Sequence, residues 1–177
     1  LIFVNTVTDD GKSRVHNSFA DGEDLVTTLV AAGLVPRGTA APGKGQLAAL
    51  VALREAAYAV LSAMAGRRKP GREEVLTLEA AIKTGLQDAS FVFQPGGLTL
   101  APGPLGGIHD AIALALFDLM QRTDLVRLRE CKRCTHLFLD HGRGRGRRWC
   151  SMARCGNRAK AEAFRTRQRA TAGQDVR

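Results

Sequence analysis

All four cysteines of this 177-residue chain fall between positions 131 and 155, in the pattern Cys131-x2-Cys134, fifteen residues, Cys150-x4-Cys155. This spacing constrains the fold more than any other feature, because sulfurs that share one ion must converge in space. Zn²⁺ binds Cys sulfur at about 2.3 Å and favours a tetrahedron, which four thiolates close completely. A CxxC pair can reach one ion from a tight turn, so the second pair must arrive on a segment that folds back. The intervening residues, 135–149, have the length of a β-hairpin with a loop. The pattern therefore predicts a knuckle, a hairpin, a second ligand pair and then a helix. In a regular α-helix, positions five apart lie about 140° apart around the axis. Residues 151–154 must then form a turn or a distorted first turn. Gly156 is expected to let the backbone approach the ion, and Asn157 to cap the helix at 158–169.

The competing readings of the cysteines are buried or redox-active thiols. Use of all four at knuckle spacing favours one structural Zn²⁺ held by Cys131, Cys134, Cys150 and Cys155. His136 and His141 are expected on the hairpin surface rather than as substitute ligands. His16 and His109 stand alone and carry no metal or catalytic pattern.

Charge is divided as unevenly as the cysteines. Residues 127–177 carry 15 Lys and Arg against 4 Asp and Glu, a net +11, whereas residues 1–126 carry 11 against 13, a net −2. A small basic module on a near-neutral body implies a polyanionic partner, of which nucleic acid is the usual one. The candidate phosphate-binding residues are Arg143, Arg145, Arg147 and Arg148 on the hairpin, with Arg154 just before the helix. Arg158, Lys160, Arg165, Arg167 and Arg169 follow on the helix itself, with Ala161 and Phe164 on its apolar side. Trp149, one residue before a ligand, is expected to pack on the knuckle rather than to stack on a base.

The first two thirds of the chain read as helices with one hairpin. Residues 1–7 are a short apolar helix or strand, and 9–17 a polar loop. Acidic residues at 21–24 precede an apolar helical spacing at 25, 26, 29 and 30, stopped by Gly33 and Pro36. Leu47, Leu50, Val51, Leu53, Tyr58, Leu61 and Met64 form the apolar stripe of a helix over 47–64. A further helix over 72–86 turns Val75, Leu76, Leu78, Ala81 and Ile82 inward. Residues 90–94 and 98–100 flank Pro95-Gly96-Gly97, a hairpin signal. The last helix of this part is expected to run from 108 to 129, with a boundary near Asp124 separating units 1–124 and 125–177. The C-terminal residues 171–177 are expected to fray. No stretch of 18 apolar residues occurs, so no membrane span is expected. The opening residues carry no basic region of a signal peptide, and a cytoplasmic location is expected.

The run Cys150-Ser-Met-Ala-Arg-Cys155-Gly156-Asn157-Arg158 resembles the CGNR zinc-finger family of bacterial transcription regulators, named for its Cys-Gly-Asn-Arg tetrad. The resemblance extends over Arg127 to Asp140 and Arg148 to Lys160. The N-terminal part resembles the ABATE domain, named for stress-induced transcription regulation. That likeness lies in Phe3-Val4-Asn5-Thr6-Val7, in Asp24-Leu25 through Ala32-Gly33-Leu34, in Leu53-Arg54-Glu55-Ala56, and in the late hairpin and helix. It implies an α+β fold: a mostly helical N-terminal domain with a β-hairpin, and a C-terminal treble-clef-like zinc module. The Arg/Gly alternation of residues 142–147 departs from the Ser- and Asn-richer tip expected of the family, and glycine adds backbone freedom there.

The resemblance and the charge together imply a zinc-dependent nucleic-acid-binding protein, DNA before RNA, acting as a stress-related transcription regulator without catalytic residues. Its N-terminal domain would sense a small-molecule signal or form a homodimer. Asn5 and Thr6 are expected to be structural. The alternative is a protein-interaction adaptor whose zinc finger is a rigid knob. A metal-dependent nuclease comes last, because its only candidate pair is Asp140 and His141 and four thiolates leave no open metal position.

Overall fold

The computed structural model describes residues 1–9, 11–95, 97–143 and 146–172. Gly96 of the expected hairpin turn, Gly144 and Arg145 of the Arg/Gly tip, and residues 173–177 of the C-terminus lie outside the described residues.

Five helices and two small antiparallel sheets build the α+β fold. A 3₁₀ turn at Phe3–Asn5 opens the chain and buries Phe3 and Val4. Helix α1, Gly22–Ala31, starts where the Asp21 carboxylate accepts from the backbone N–H of Glu23 and Asp24. Such a cap satisfies donors that the first turn leaves orphaned. The helix ends in a Schellman turn: Gly33 takes φ 68° while Leu34 N–H reaches back to Leu29 O at 2.9 Å. Glycine suits this left-handed position because it has no Cβ.

Helix α2, Lys44–Ala65, is the centre of the core, with Leu50, Leu53, Ala57, Val60 and Leu61 buried. By length and composition it could cross a membrane. Instead it buries its apolar side against α3, Arg72–Gln87, and α4, Ile108–Gln121. It closes with the same Schellman geometry as α1, Arg68 N–H bonding Ala63 O at 2.8 Å, but here the left-handed residue is Arg67, φ 53°. A side chain in that conformation costs about 1 kcal/mol relative to glycine. Within α3, Leu78 and Ala81 are buried and Ile82 partly so; Val75 and Leu76 remain exposed, contrary to the sequence reading. Only one face of α3 meets α2 and α4; Leu76 lies off it, and Val75 sits at its open edge with Leu78 and Ile82, beside Val60 of α2.

Strands β1, Ser90–Gln94, and β2, Gly97–Ala101, pair in the register Phe91 to Leu100 and Phe93 to Leu98. The hairpin signal in the sequence located this ribbon. Helix α4 stops at Gln121, eight residues before the expected end, because Arg122 is extended (ψ 132°). A 3₁₀ turn at Thr123–Arg127 follows, closed by a two-point Arg122–Asp124 ion pair at 2.9 and 2.8 Å. The apolar periodicity that suggested a continuous helix belongs to Leu125 and Leu128, which drop into the same core from a turn and a strand.

Strand β3, Leu128–Glu130, pairs with β4, Leu137–Leu139, so the hairpin brackets the first cysteine pair. The sequence reading put it after that pair, within 135–149. The pairing is displaced because Leu128 and Leu137 share the core with α2 and α4, an anchor that the spacing of the cysteines does not show. A π-helical turn at Met152–Gly156 leads into α5, Asn157–Ala172.

Candidate metal centre

The knuckle is the turn between β3 and β4. Cys131 N–H bonds His136 O at 2.9 Å, and Lys132 N–H takes Arg148 O at 2.9 Å. The second contact draws the returning chain alongside the knuckle and delivers Cys150. Cys155 then arrives through the π-turn, whose defining bond runs from Gly156 N–H to Ser151 O at 3.0 Å. A turn with five-residue bonds is wider than an α-turn. It answers the geometric problem of the i, i+5 spacing, since the Cys150 and Cys155 sulfurs come to 3.6 Å. Ser151, whose hydroxyl accepts from Arg154 N–H, caps this turn. Asn157 is not the cap expected of it: its backbone is already helical and its side-chain amide donates to Ala153 O. Gly156 makes room for Met152 and Trp149, since a Cβ there would clash with Met152 Sδ.

The sulfurs of Cys131, Cys134, Cys150 and Cys155 all lie within 4.8 Å of one another, and three of their separations are 3.6 Å. A tetrahedron with bonds of about 2.3 Å has edges of about 3.8 Å. The donor set therefore fits a thiophilic cation with tetrahedral preference. Its ionisation points the same way. Burial works to raise the Cys131 thiol, but backbone N–H groups of Cys134, Cys150 and Arg133 outweigh it and hold the group at about 7. Burial pushes Cys150 up to about 12 and raises Cys134 as well. One thiolate thus forms readily while its neighbours resist, since like charges at this distance disfavour each other. A divalent cation removes that conflict and releases protons on binding. Trp149 and Phe138 pack around the sulfurs, as the position of Trp149 predicted.

Contacts from the first seventeen residues reach this centre, and the sequence reading did not foresee them. Lys12 Nζ donates to Cys131 O at 2.6 Å and Cys134 O at 2.9 Å and pairs with the Glu130 carboxylate. Asn5 bonds both backbone groups of Leu137, at 2.8 and 2.9 Å, as a strand neighbour would. His136 Nε2 donates to Val7 O at 3.0 Å. Arg14 bridges Glu55, Val4 O and Thr135 and lies over the Tyr58 ring at 3.8 Å. Beneath them Arg54, 2% exposed, donates to Thr6 O, Asn17 and Glu55. Asn5 and Thr6 are structural, as expected.

The candidate cations are sorted by their partners. Arg154 and Arg158 both face Asp9, and Arg158 reaches it at 3.0 Å. Arg147 is exposed and folds back over the Phe138 ring, donating to Trp149 O and Cys150 O. Arg148 lies 5.2 Å from the Trp149 ring centroid. Arg143, Lys160, Arg165, Arg167 and Arg169 are exposed; Arg145 is outside the described residues. Phe164, expected on an apolar side of α5, is 56% exposed, because that helix has no buried face among its described side chains. Asp140 closes the loop at 142–147 by accepting from Gly142 N–H and Arg147 N–H, which holds its carboxyl below the usual range. His141 faces Asp124 at 3.5 Å, away from that arrangement.

A four-sulfur centre on a knuckle, docked on a helical body and followed by a basic helix, defines a zinc-finger protein of mixed α and β build. The sequence model of the ABATE family, described as "Putative stress-induced transcription regulator", matches residues 1–122, and that of the CGNR zinc finger matches residues 127–168. The chain belongs to the ABATE family and carries a CGNR zinc finger after that domain. No curated protein matches it.

Proposed function

We propose that the chain is a transcription regulator that binds nucleic acid, DNA first, through a module held by one structural Zn²⁺ on Cys131, Cys134, Cys150 and Cys155. The observation that carries this reading is α5. It is a sixteen-residue helix that buries no described side chain and carries Arg158, Lys160, Arg165, Arg167 and Arg169 beside a single acid, Glu162. A helix polar all round has no reason to persist against a core of its own. Fixed at one end by the cysteines, it presents cations to a polyanion. Family membership supports the same reading. The units 1–124 and 125–177 would act together, the first sensing a signal or pairing with a second copy. The exposed Phe91, Phe93 and Leu98 of the β1–β2 ribbon favour a protein contact there. Four thiolates leave no open metal position, and Asp140 is committed to its loop, so we assign no catalysis. Thiolate ligands suit a reducing cytoplasm.

Binding of the zinc-loaded chain to random duplex DNA across a salt series tests this. Affinity should fall steeply with salt and vanish on chelation. Absence of binding at low salt would overturn the reading and leave the adaptor, whose partner would be an anionic protein.

A further inference from the structure

We infer that the cleft between the C-terminal end of α2 and the chain returning to the knuckle binds nucleic-acid backbone phosphate. The contact surface then spans both halves of the chain. The inference rests on the nucleic-acid reading above and extends it into the helical body.

The cleft encloses about 380 Å³ and is lined by Arg68 on one side and by Arg129, Lys132, Arg147 and Arg148 on the other. Its one acid, Glu130, is already engaged by Lys12 and the Ser62 hydroxyl. Among the described residues, none of these five cations is in an ion pair. On α5, by contrast, Arg158 is paired with Asp9, as is the neighbouring Arg154, and knuckle residue Arg133 is paired with Glu162. The α2 side carries more cations than acids: Glu130 is already engaged, and Asp140 offsets Arg129 and Arg147 only in part. The remaining cations repel one another, and a phosphate on the cleft relieves that repulsion.

A second observation is independent of the cleft. Arg67 occupies the left-handed position of the α2 Schellman turn, where the matching turn of α1 uses Gly33. The adjacent Gly66 sits at φ −86°, where its freedom serves no purpose. A turn selected for the backbone alone would place glycine at 67. Arg67 does not line the cleft, so its strain marks the end of α2 as cationic without placing Arg67 on the phosphate. Cations after a helix end also complement the macrodipole. That explains Arg67 and Arg68 but not Arg129, Lys132 and Arg148, which come from the other half and serve no helix terminus.

The experiment uses the full zinc-loaded chain, random duplex DNA and fluorescence anisotropy over a salt series. Two variants are compared with the unaltered chain, Arg129→Gln and the double variant Arg68→Gln with Lys132→Gln. Removing one cation from a phosphate lowers the salt slope by about 0.9. The double variant should lose nearly two units of slope and roughly 60-fold in affinity at 0.1 M salt. Arg129→Gln should lose about one unit at an unchanged melting temperature, a combination that a purely structural role cannot produce. Unchanged slope and affinity in both variants, with the unaltered chain still binding, would overturn this cleft and leave the α5 reading standing. No binding by the unaltered chain would instead overturn the nucleic-acid reading, and this inference with it. Should the double variant fold poorly, Arg129→Gln decides alone.

Discussion

The two halves of the molecule are held by different means. The helical body buries a continuous apolar cluster from Phe3 to Leu119 around α2. Among the described residues, the zinc module buries just Cys131, Cys134, Phe138 and Cys155 as a cluster of its own, with Trp149 and Cys150 packed on it. A body with that much apolar burial can stand on the hydrophobic effect. A module this small needs a staple, and sulfur coordination is the one its sequence provides. The seam between them is of a third kind: Leu125, Leu128 and Leu137 belong to the body's core although the family boundary separates them from it. Polar contacts from residues 5–14 lie over that apolar seam. The contrast teaches that an element's sequence neighbourhood need not determine which core it joins.

The sharpest way to break the comparison is to remove the metal. Chelation, or Cys131→Ser, should release protection in residues 140–169 while Leu128 and Leu137 keep theirs, as read by hydrogen exchange. Structural zinc supplies on the order of 10 kcal/mol to such modules. Equal loss in the body would show that the two halves are one cooperative unit. Next is Arg54→Ala, which removes a buried guanidinium from Thr6, Asn17 and Glu55. A loss of about 3 kcal/mol in denaturant unfolding is expected. Asn5→Ala strips Leu137 of two partners at the seam and should cost about 2 kcal/mol. It should also raise exchange at Leu137 without releasing zinc.

The smallest effect is on pH. Burial works to raise the Glu55 carboxyl, but hydrogen bonds and charge from Arg14 and Arg54 hold it below its ordinary 4.5. A depressed carboxyl contributes stability that is complete above its unfolded value and is lost as pH falls through the lower folded value. Melting temperature should therefore decline below pH 4.5, and Glu55→Gln should flatten that decline. An unchanged acid limb in the variant would remove Glu55 from the account.

Much of the fold was legible because its signals are local. The cysteine spacing located the centre and required the distorted turn before Gly156. The apolar stripes located α1 to α3 and the beginning of α4, and Pro95 to Gly97 located the ribbon. The failures share one cause. Leu128, Leu137 and the end of α4 are set by long-range packing, which overrides helical periodicity. Lys12 and Arg14 sit in a polar loop whose residues resemble any solvated loop, and nothing in the sequence around Lys12 shows that it meets the knuckle carbonyls. Asn157 looked like a cap because only the observed π-turn reveals that Ser151 occupies that place. The space that Gly156 leaves beneath Met152 has no sequence signal of its own.

The bond between Asn5 and Leu137 joins residues 132 positions apart. Arg14 finds Glu55 and Val4 O nearby, whereas the partners of Asn5 and Lys12 lie far along the chain, at Leu137 and at the carbonyls of Cys131 and Cys134. Pairings of such separation slow folding, since the long loop must close before they can form. Phe3 and Val4 need only the core of α2, whereas the bonds from Asn5 to β4 and from Lys12 to the knuckle carbonyls require that the knuckle has already formed.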